Sequence, residues 1–240
     1  DFRRTFLDDV LAETSHTAAA DQSDCDRILR QRNTLLKSMS PKPSEAEAAT
    51  LDTWTESFID VAARIIVARR AAVTALAPRF AYHYSAIAGG ANQAHMTLSE
   101  TVGEDVPDSD VAVAMREKFH VKRREEIERG STLVGPHRDD LFIELNGLPA
   151  RTHSSQGEAW STALSLRLAM VDVVTEQSAV GDPVVILDDV FSELDEGRRA
   201  RLAGHLDSIE HLIVTAADES TIPATMSGVR HVVKGGAIDG

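Results

Sequence analysis

The sequence predicts an α/β domain preceded by a long α-helical arm. Two observations carry this reading. Up to about residue 130 the apolar residues recur every three or four positions, the period of an amphipathic helix. Beyond Gly130, short apolar runs alternate with helical segments and turn residues, as in strands layered with helices. The division therefore falls between 1–130 and 131–240.

In the arm, DCDRILRQRNTLLK (Asp24 to about Lys37) puts Ile28, Leu29, Leu35 and Leu36 on helical spacing. Two prolines in SMSPKPSEAEA then break the pattern, and Ser44 with Glu47 predicts a capping box. A long helix follows from Glu45 to about Leu76, its seam formed by Leu51, Trp54, Phe58, Val61, Ile65, Val73 and Leu76. Pro78 is expected to end it, with a shorter helix continuing through Tyr84. A short strand around MTLSETV and a third helix over 109–129 complete an arm expected to pack mostly on itself.

After Gly130, DDLFIELNG and LPARTH predict a hairpin over Asn146-Gly147. A helix over 157–176, the strand PVVIL, a helix over 196–206, the strand HLIVTA and a last strand in GVRHVVKG follow.

Bulk charge does not name a partner. The net charge is -13, but residues 1–130 hold 17 basic and 21 acidic side chains against 8 and 17 in 131–240. A basic stripe on the arm is compatible with that balance. The single cysteine, Cys25, excludes an internal disulfide and fits a reducing, cytoplasmic setting. No apolar run has the length of a membrane span. The first residues carry neither a signal-peptide core nor an initiator methionine, so the chain is expected to begin inside a longer protein.

The chemistry concentrates in two segments. In VVILDDVFSELD an apolar strand ends on Asp188 and Asp189, which puts carboxylates at the edge where α/β sheets bind ligands. This is the Walker B pattern: Asp188 would hold Mg²⁺ and Asp189 would orient or deprotonate the water attacking a γ-phosphate. The bland alternative is an acidic helix start after a buried strand, favoured by the helix dipole. In HSSQGEAWSTALSLRLAM, Ser155 and Glu158 form a capping box. The same turn offers a hydroxyl, a bare glycine and free N–H groups to a phosphate. Ser155, Gln156, Gly157 and Glu158 match loosely the signature element of ATP-binding-cassette heads, which contacts ATP held by the opposite subunit. Ser192 and Asp195 in SELD match the D-loop of such heads. The signature-like turn, the Walker B strand and the D-loop occur in the expected order.

With these motifs the chain resembles the RecF family of SMC-like ATPases. VILDDVFSELDEGRRARL resembles its signature of hydrophobics, Asp, S-E-L-D, a basic residue and Leu. RRTFLD (Arg3 to Asp8), DRILRQRNTLLK and GPHRDDLFIELNG resemble other parts of the family, and the match is least specific over 41–108. The resemblance implies the C-terminal lobe of an ABC-type ATPase head at 131–240, with an inserted helical, coiled-coil-like arm at 1–130. Residues 1–20 would be the tail of an absent N-terminal lobe. It also implies ATP and Mg²⁺ as ligands, an ATP-dependent homodimer, and binding to double-stranded DNA near single-strand gaps. RecR and RecO would be partners in loading RecA during replication, recombinational repair and the SOS response.

Two departures qualify this. G-x-x-x-x-G-K-[ST] is absent, since none of Lys37, Lys42, Lys118, Lys122 and Lys234 follows a glycine, so these residues alone are expected to be inactive. Glu158 stands where the family usually has glutamine. If the arm lines DNA, Lys122, Arg123 and Arg124 are the first candidates, with Arg69 and Arg70 behind them. A nucleotide-independent protein-binding module and another SMC-like head are the alternatives. His137, Arg138, Asp139 and Asp140 read as a turn, with Arg138 expected to pair with a carboxylate.

Overall fold

One helix organises the chain. In the computed structural model, which describes residues 2–178 and 181–239, α3 runs unbroken over Glu45–Ala88. It starts at the expected capping box: the Ser44 hydroxyl accepts from the Glu47 N–H at 3.3 Å, and the Glu47 carboxylate accepts from the Ser44 N–H at 2.8 Å. Pro78 does not end it. The proline removes one backbone hydrogen bond, but Leu76, Phe80, Tyr84 and Ile87 on either side are fully buried and hold the axis. The Arg79 guanidinium also donates to the Ala75 carbonyl at 2.6 Å, bonding a carbonyl beside the break.

Before α3 come α1 (Phe2–Thr14) and α2 (Ala18–Ser38). Phe6, Leu7, Val10 and Leu11 bury one face of α1, and Cys25, Ile28, Arg32 and Leu36 one face of α2. Burial pushes the Cys25 thiol up to about 12, so it stays protonated. After α3 come β1 (Ala94–Ser99) and α4 (Val111–Arg129), the latter led in by a 3₁₀ turn. The first half of α3 packs with α2 and α4 around Phe58, Ile59, Ile66, Met115 and Phe119.

Gly130 closes α4 in the left-handed region (φ 62°). β2 (Asp140–Leu145) then pairs antiparallel with β1, joining Ala94–Ser99 to residues beyond the turn, so this sheet straddles Gly130. β2 also pairs with the two-residue β3 (Leu148–Pro149) across Asn146 and Gly147, both at positive φ as a tight hairpin turn requires. Contrary to the sequence reading, ARTH is not strand but the short α5 (Ala150–His153). The sheet packs on the second half of α3 and on α6 (Gln156–Gln177), so α3 is not confined to an arm that packs on itself.

The third core joins α6 to β4 (Val185–Asp188), α7 (Glu196–Leu206) and β5 (Leu212–Thr215). β4 and β5 run parallel, with Val185 and Leu187 facing inward. Val184, Ile186 and Ile213 stand out on the other face, 60%, 65% and 51% exposed. The strand expected in GVRHVVKG, β6 (Val232–Lys234), does not join them; Gly235 and Gly236 turn it back onto β7 (Ala237–Asp239) as a separate hairpin.

Buried charges tie these layers together. Arg32, 1% exposed, bonds Glu126 at 2.6 Å, Thr132 at 2.7 Å and Thr55 at 3.1 Å, and lies over the Phe119 ring. Arg69, 2% exposed, bonds Asp8 at 2.6 Å and the Pro136 carbonyl at 2.7 Å. Arg3 pairs with Asp140, and Arg4 donates to the His137 and Asp139 carbonyls. RRTFLD and GPHRDD thus interlock with each other. Arg138 donates to the Thr132 carbonyl at 3.0 Å and not to a carboxylate, because the turn folds that carbonyl back within its reach.

Removing one partner of a buried pair strands the other charge. Glu126→Ala is expected to lower unfolding stability by about 3–5 kcal/mol in urea titrations; a loss below about 1 kcal/mol contradicts this role.

The turn also sets a pH dependence. Burial, with the Arg138, Arg32 and Arg4 charges adding to it, pushes His137 down to about 4. The folded imidazole therefore stays neutral while an unfolded chain takes up the proton near 6.5, so its contribution is lost as pH falls from 6.5 towards 4. Burial pushes Asp139 up to about 6, and that contribution instead grows as pH falls through the same window. Replacing His137 isolates the first effect. From pH 7 to 4.5, His137→Asn should gain up to about 3 kcal/mol relative to the parent; a stability gap that does not change with pH contradicts this.

Candidate functional site

β4 delivers two carboxylates to the open end of the parallel pair. Asp188 is its last residue, opposite Thr215 of β5, and the exposed Asp188 carboxylate accepts from the Thr215 hydroxyl through one oxygen. The Asp189 N–H donates to the Thr215 carbonyl at 3.1 Å, and the backbone then turns sharply, with Asp189 at φ 48°. Few residues other than glycine adopt that conformation, and Asp and Asn are among them. Buried Val190, Phe191 and Leu194 anchor the loop beneath. Asp188 fits a hydrated Mg²⁺: it is a hard oxygen donor on an exposed side chain with its second oxygen unbonded among the described residues.

Ser155 caps α6 in the predicted capping box. Its hydroxyl accepts from the Glu158 N–H at 3.3 Å and donates to the Glu158 carboxylate at 2.7 Å. The Ser155 N–H donates to the same carboxylate at 2.9 Å, and these bonds, with the Arg198 charge, hold Glu158 below the usual carboxylate range. Two contacts tie this turn to the loop after β4. Gln156 Nε2 donates to the Glu193 carboxylate at 3.0 Å, and the Arg198 guanidinium packs directly on Gly157. A Cβ at position 157 would stand 2.0 Å from Arg198 Nη1, so any larger residue there would displace the guanidinium. Farther along α6, Trp160 Nε1 donates to the Val190 carbonyl at 3.2 Å.

Asp195 caps α7, accepting from the Arg198 N–H at 2.8 Å, and that bond holds its carboxyl below the usual range. The Ser192 hydroxyl donates to the Asp189 carbonyl at 2.9 Å. Residues 155–158 and 192–198 therefore form one surface, while Asp188 and Asp189 stand at the β5 side of the same loop. Behind them all, His83 on α3 contacts His205 on α7 at 2.6 Å and Asp172 on α6 at 2.8 Å, clamping the three helices. A groove of about 530 Å³ beside Asp188 is lined mainly by apolar residues, including Trp160, Leu164, Val184 and Ile186. Among the described residues no group of three metal-ligating side chains converges and no helix is long and apolar enough to cross a membrane.

Two of the DNA candidates are corrected. Arg69 is buried on Asp8, and Arg70 is held by Glu100 at 2.6 Å and Asp108 at 2.9 Å, so neither offers its charge to a polyanion. Lys122, Arg123 and Arg124 lie at the surface of α4, each paired with a carboxylate: Glu125, Asp52 and Glu128. Sequence reasoning missed Thr215, Trp160 and Arg198. Only Arg198 carried a signal, as the basic residue following S-E-L-D.

No family model matches the chain. It is 40% identical over 256 residues to the "DNA replication and repair protein RecF" of Clavibacter michiganensis subsp. michiganensis, covering 98% of this chain and 63% of that relative. The RecF of Frankia alni is 40% identical over 245 residues, covering 98% and 64%. The chain thus spans less than two thirds of the length of these relatives. Among solved structures, one described as the recombination mediator protein RecF with ATP in the RecFOR pathway superposes with a TM-score of 0.79. It covers 99% of this chain and 62% of that one at 24% identity, and so bears on the fold. Fold and sequence agree: the chain belongs to the RecF family.

Proposed function

We propose that these 240 residues supply the arm and the C-terminal lobe of an ATP-dependent DNA replication and repair protein, and with them half of an ATP site. The observation that carries this is the single exposed surface made by the capped turn at 155–158 and the loop at 192–198, beside a strand ending on Asp188 and Asp189. The relatives' name, DNA replication and repair protein RecF, and the ATP complex of the similar fold support the assignment. The arm would be 1–130 and the lobe 131–240.

In this reading Asp188 holds Mg²⁺, which would offset phosphate charge when bound. Asp189 orients or deprotonates the attacking water, its side chain aimed by the left-handed backbone. The Ser155 hydroxyl and the Gly157 N–H meet the γ-phosphate of ATP held by a second copy, as in the cassette heads whose signature element this turn resembles. Ser155 must then turn its proton from Glu158 to the phosphate, so Glu158 competes with the nucleotide for it. The ATP-closed dimer would grip double-stranded DNA near single-strand gaps, and Lys122, Arg123 and Arg124 would contact it by exchanging their carboxylates for phosphates. RecR and RecO would act with it to load RecA, and hydrolysis would reset the dimer.

Asp189→Asn tests the chemistry cleanly because asparagine also tolerates the left-handed conformation. In the full-length protein it should lower kcat for ATP roughly 100-fold, the scale of a lost general base; a change within about twofold contradicts the role. The 240-residue chain alone should bind ATP no better than about 1 mM by calorimetry. A Kd near 1 μM would refute the half-site reading.

A further inference from the structure

The surface proposed to meet ATP has a charge problem. Glu158, Asp188, Asp189, Glu193, Asp195 and Glu196 all lie on it or at its edge. A triphosphate arriving there would be repelled unless a cation were available. The first turns of α7 hold three arginines. Arg199 donates to the Phe191 carbonyl at 2.8 Å, and Arg201 donates to the Ile87 carbonyl at 2.9 Å. Both are engaged in holding the fold. The Arg198 guanidinium differs: among the described residues it makes no hydrogen bond, only an ion pair with Asp195 at 3.6 Å. Its Nη1 end sits against Gly157, with its side chain 21% exposed.

From this juxtaposition we propose that Arg198 is the residue of this chain that supplies positive charge to the terminal phosphates of ATP presented by a second copy. The inference rests on the reading of residues 155–158 as a trans phosphate turn and names the cation that turn lacks. Gly157 serves it twice, through its N–H and by leaving room for the guanidinium. Asp195 holds Arg198 in place without hydrogen-bonding its donors, which leaves the fork free for a bidentate phosphate contact, and Glu158 lies near enough to feel its charge. In the free protein those carboxylates also balance its charge.

The test is sedimentation velocity of the full-length protein with ATP and with ADP. Arg198→Gln removes the charge and the guanidinium fork while keeping a polar side chain, and should weaken ATP-dependent dimerisation about tenfold or more, the effect of one charged hydrogen bond. Arg198→Lys, which keeps the charge but not the fork, should recover part of it. ATP affinity of the monomer should not change. Unaltered dimerisation in Arg198→Gln while Asp188→Ala abolishes it overturns the inference and leaves the ATP reading standing. If neither variant affects dimerisation, the ATP reading itself fails. Arg198 could instead act only by neutralising Glu158, and the double variant Glu158→Gln with Arg198→Gln separates these roles. Glutamine keeps the capping box, so full rescue would overturn the phosphate role, and persistence of the defect supports it. Should Arg198→Gln fail to fold, a lysine variant that folds but dimerises as poorly as Asp188→Ala also overturns it.

Discussion

Everything in this chain hangs from the continuity of α3 past Pro78. A helix of 44 residues is about 66 Å long, and this one lends side chains to all three large cores. A proline inside a helix costs about 3 kcal/mol. Each fully buried Leu, Phe or Ile side chain returns roughly 1.5–3 kcal/mol, and four large side chains flank the break. Burial therefore wins over local propensity, and the helix stays in one piece. Its last turns are bolted to the elements that carry the site. Arg79 pairs with Glu176 on α6, His83 bridges Asp172 and His205, and the Ile87 carbonyl accepts from Arg201 on α7. The capped turn at 155–158 and the loop at 192–198 are thus oriented by a helix whose other end packs with α2 and α4.

The motifs divide into two physical classes. RRTFLD and GPHRDD contribute Arg3, Arg4, Asp8, Pro136 and Asp140 to a polar lattice around buried Arg69, and their work is to lock α1 to α3 and to the turn before β2. Residues 155–158 and 188–198 instead place their polar groups at the surface, on helix caps and at a strand end. A capping box with a carboxylate at its third position is a stable helix start whether or not phosphate ever binds. What sets this one apart is its neighbour: a glycine covered by an arginine from another helix.

The parts legible in the sequence were those governed by local chemistry. Ser44 and Ser155 cap where the spacing to Glu47 and Glu158 says they should, α7 begins on its aspartate, and Asn146-Gly147 turns the hairpin. The parts that stayed hidden depend on partners far along the chain. Arg32 meets Glu126 and Arg69 meets Asp8, pairings that no periodicity reveals, so a buried arginine on α3 reads as a solvated one. The same holds for Thr215, which meets Asp188, and for Arg198, which meets Gly157. The strand end with its two carboxylates was legible because the apolar run stopping on Asp-Asp, a common string by itself, is followed by S-E-L-D and preceded by the capped turn, whereas the left-handed turn of Asp189 emerges only from the pairing of β4 with β5.

The central claim is that the 155–158 and 192–198 surface acts on ATP held by another copy. Its most direct measurement mixes the labelled 240-residue chain with full-length protein and follows co-sedimentation with ATP and with ADP. The account predicts association with ATP only, lost when Ser155→Arg fills the turn with bulk. Equal association with ADP, or association that survives Ser155→Arg, would contradict it.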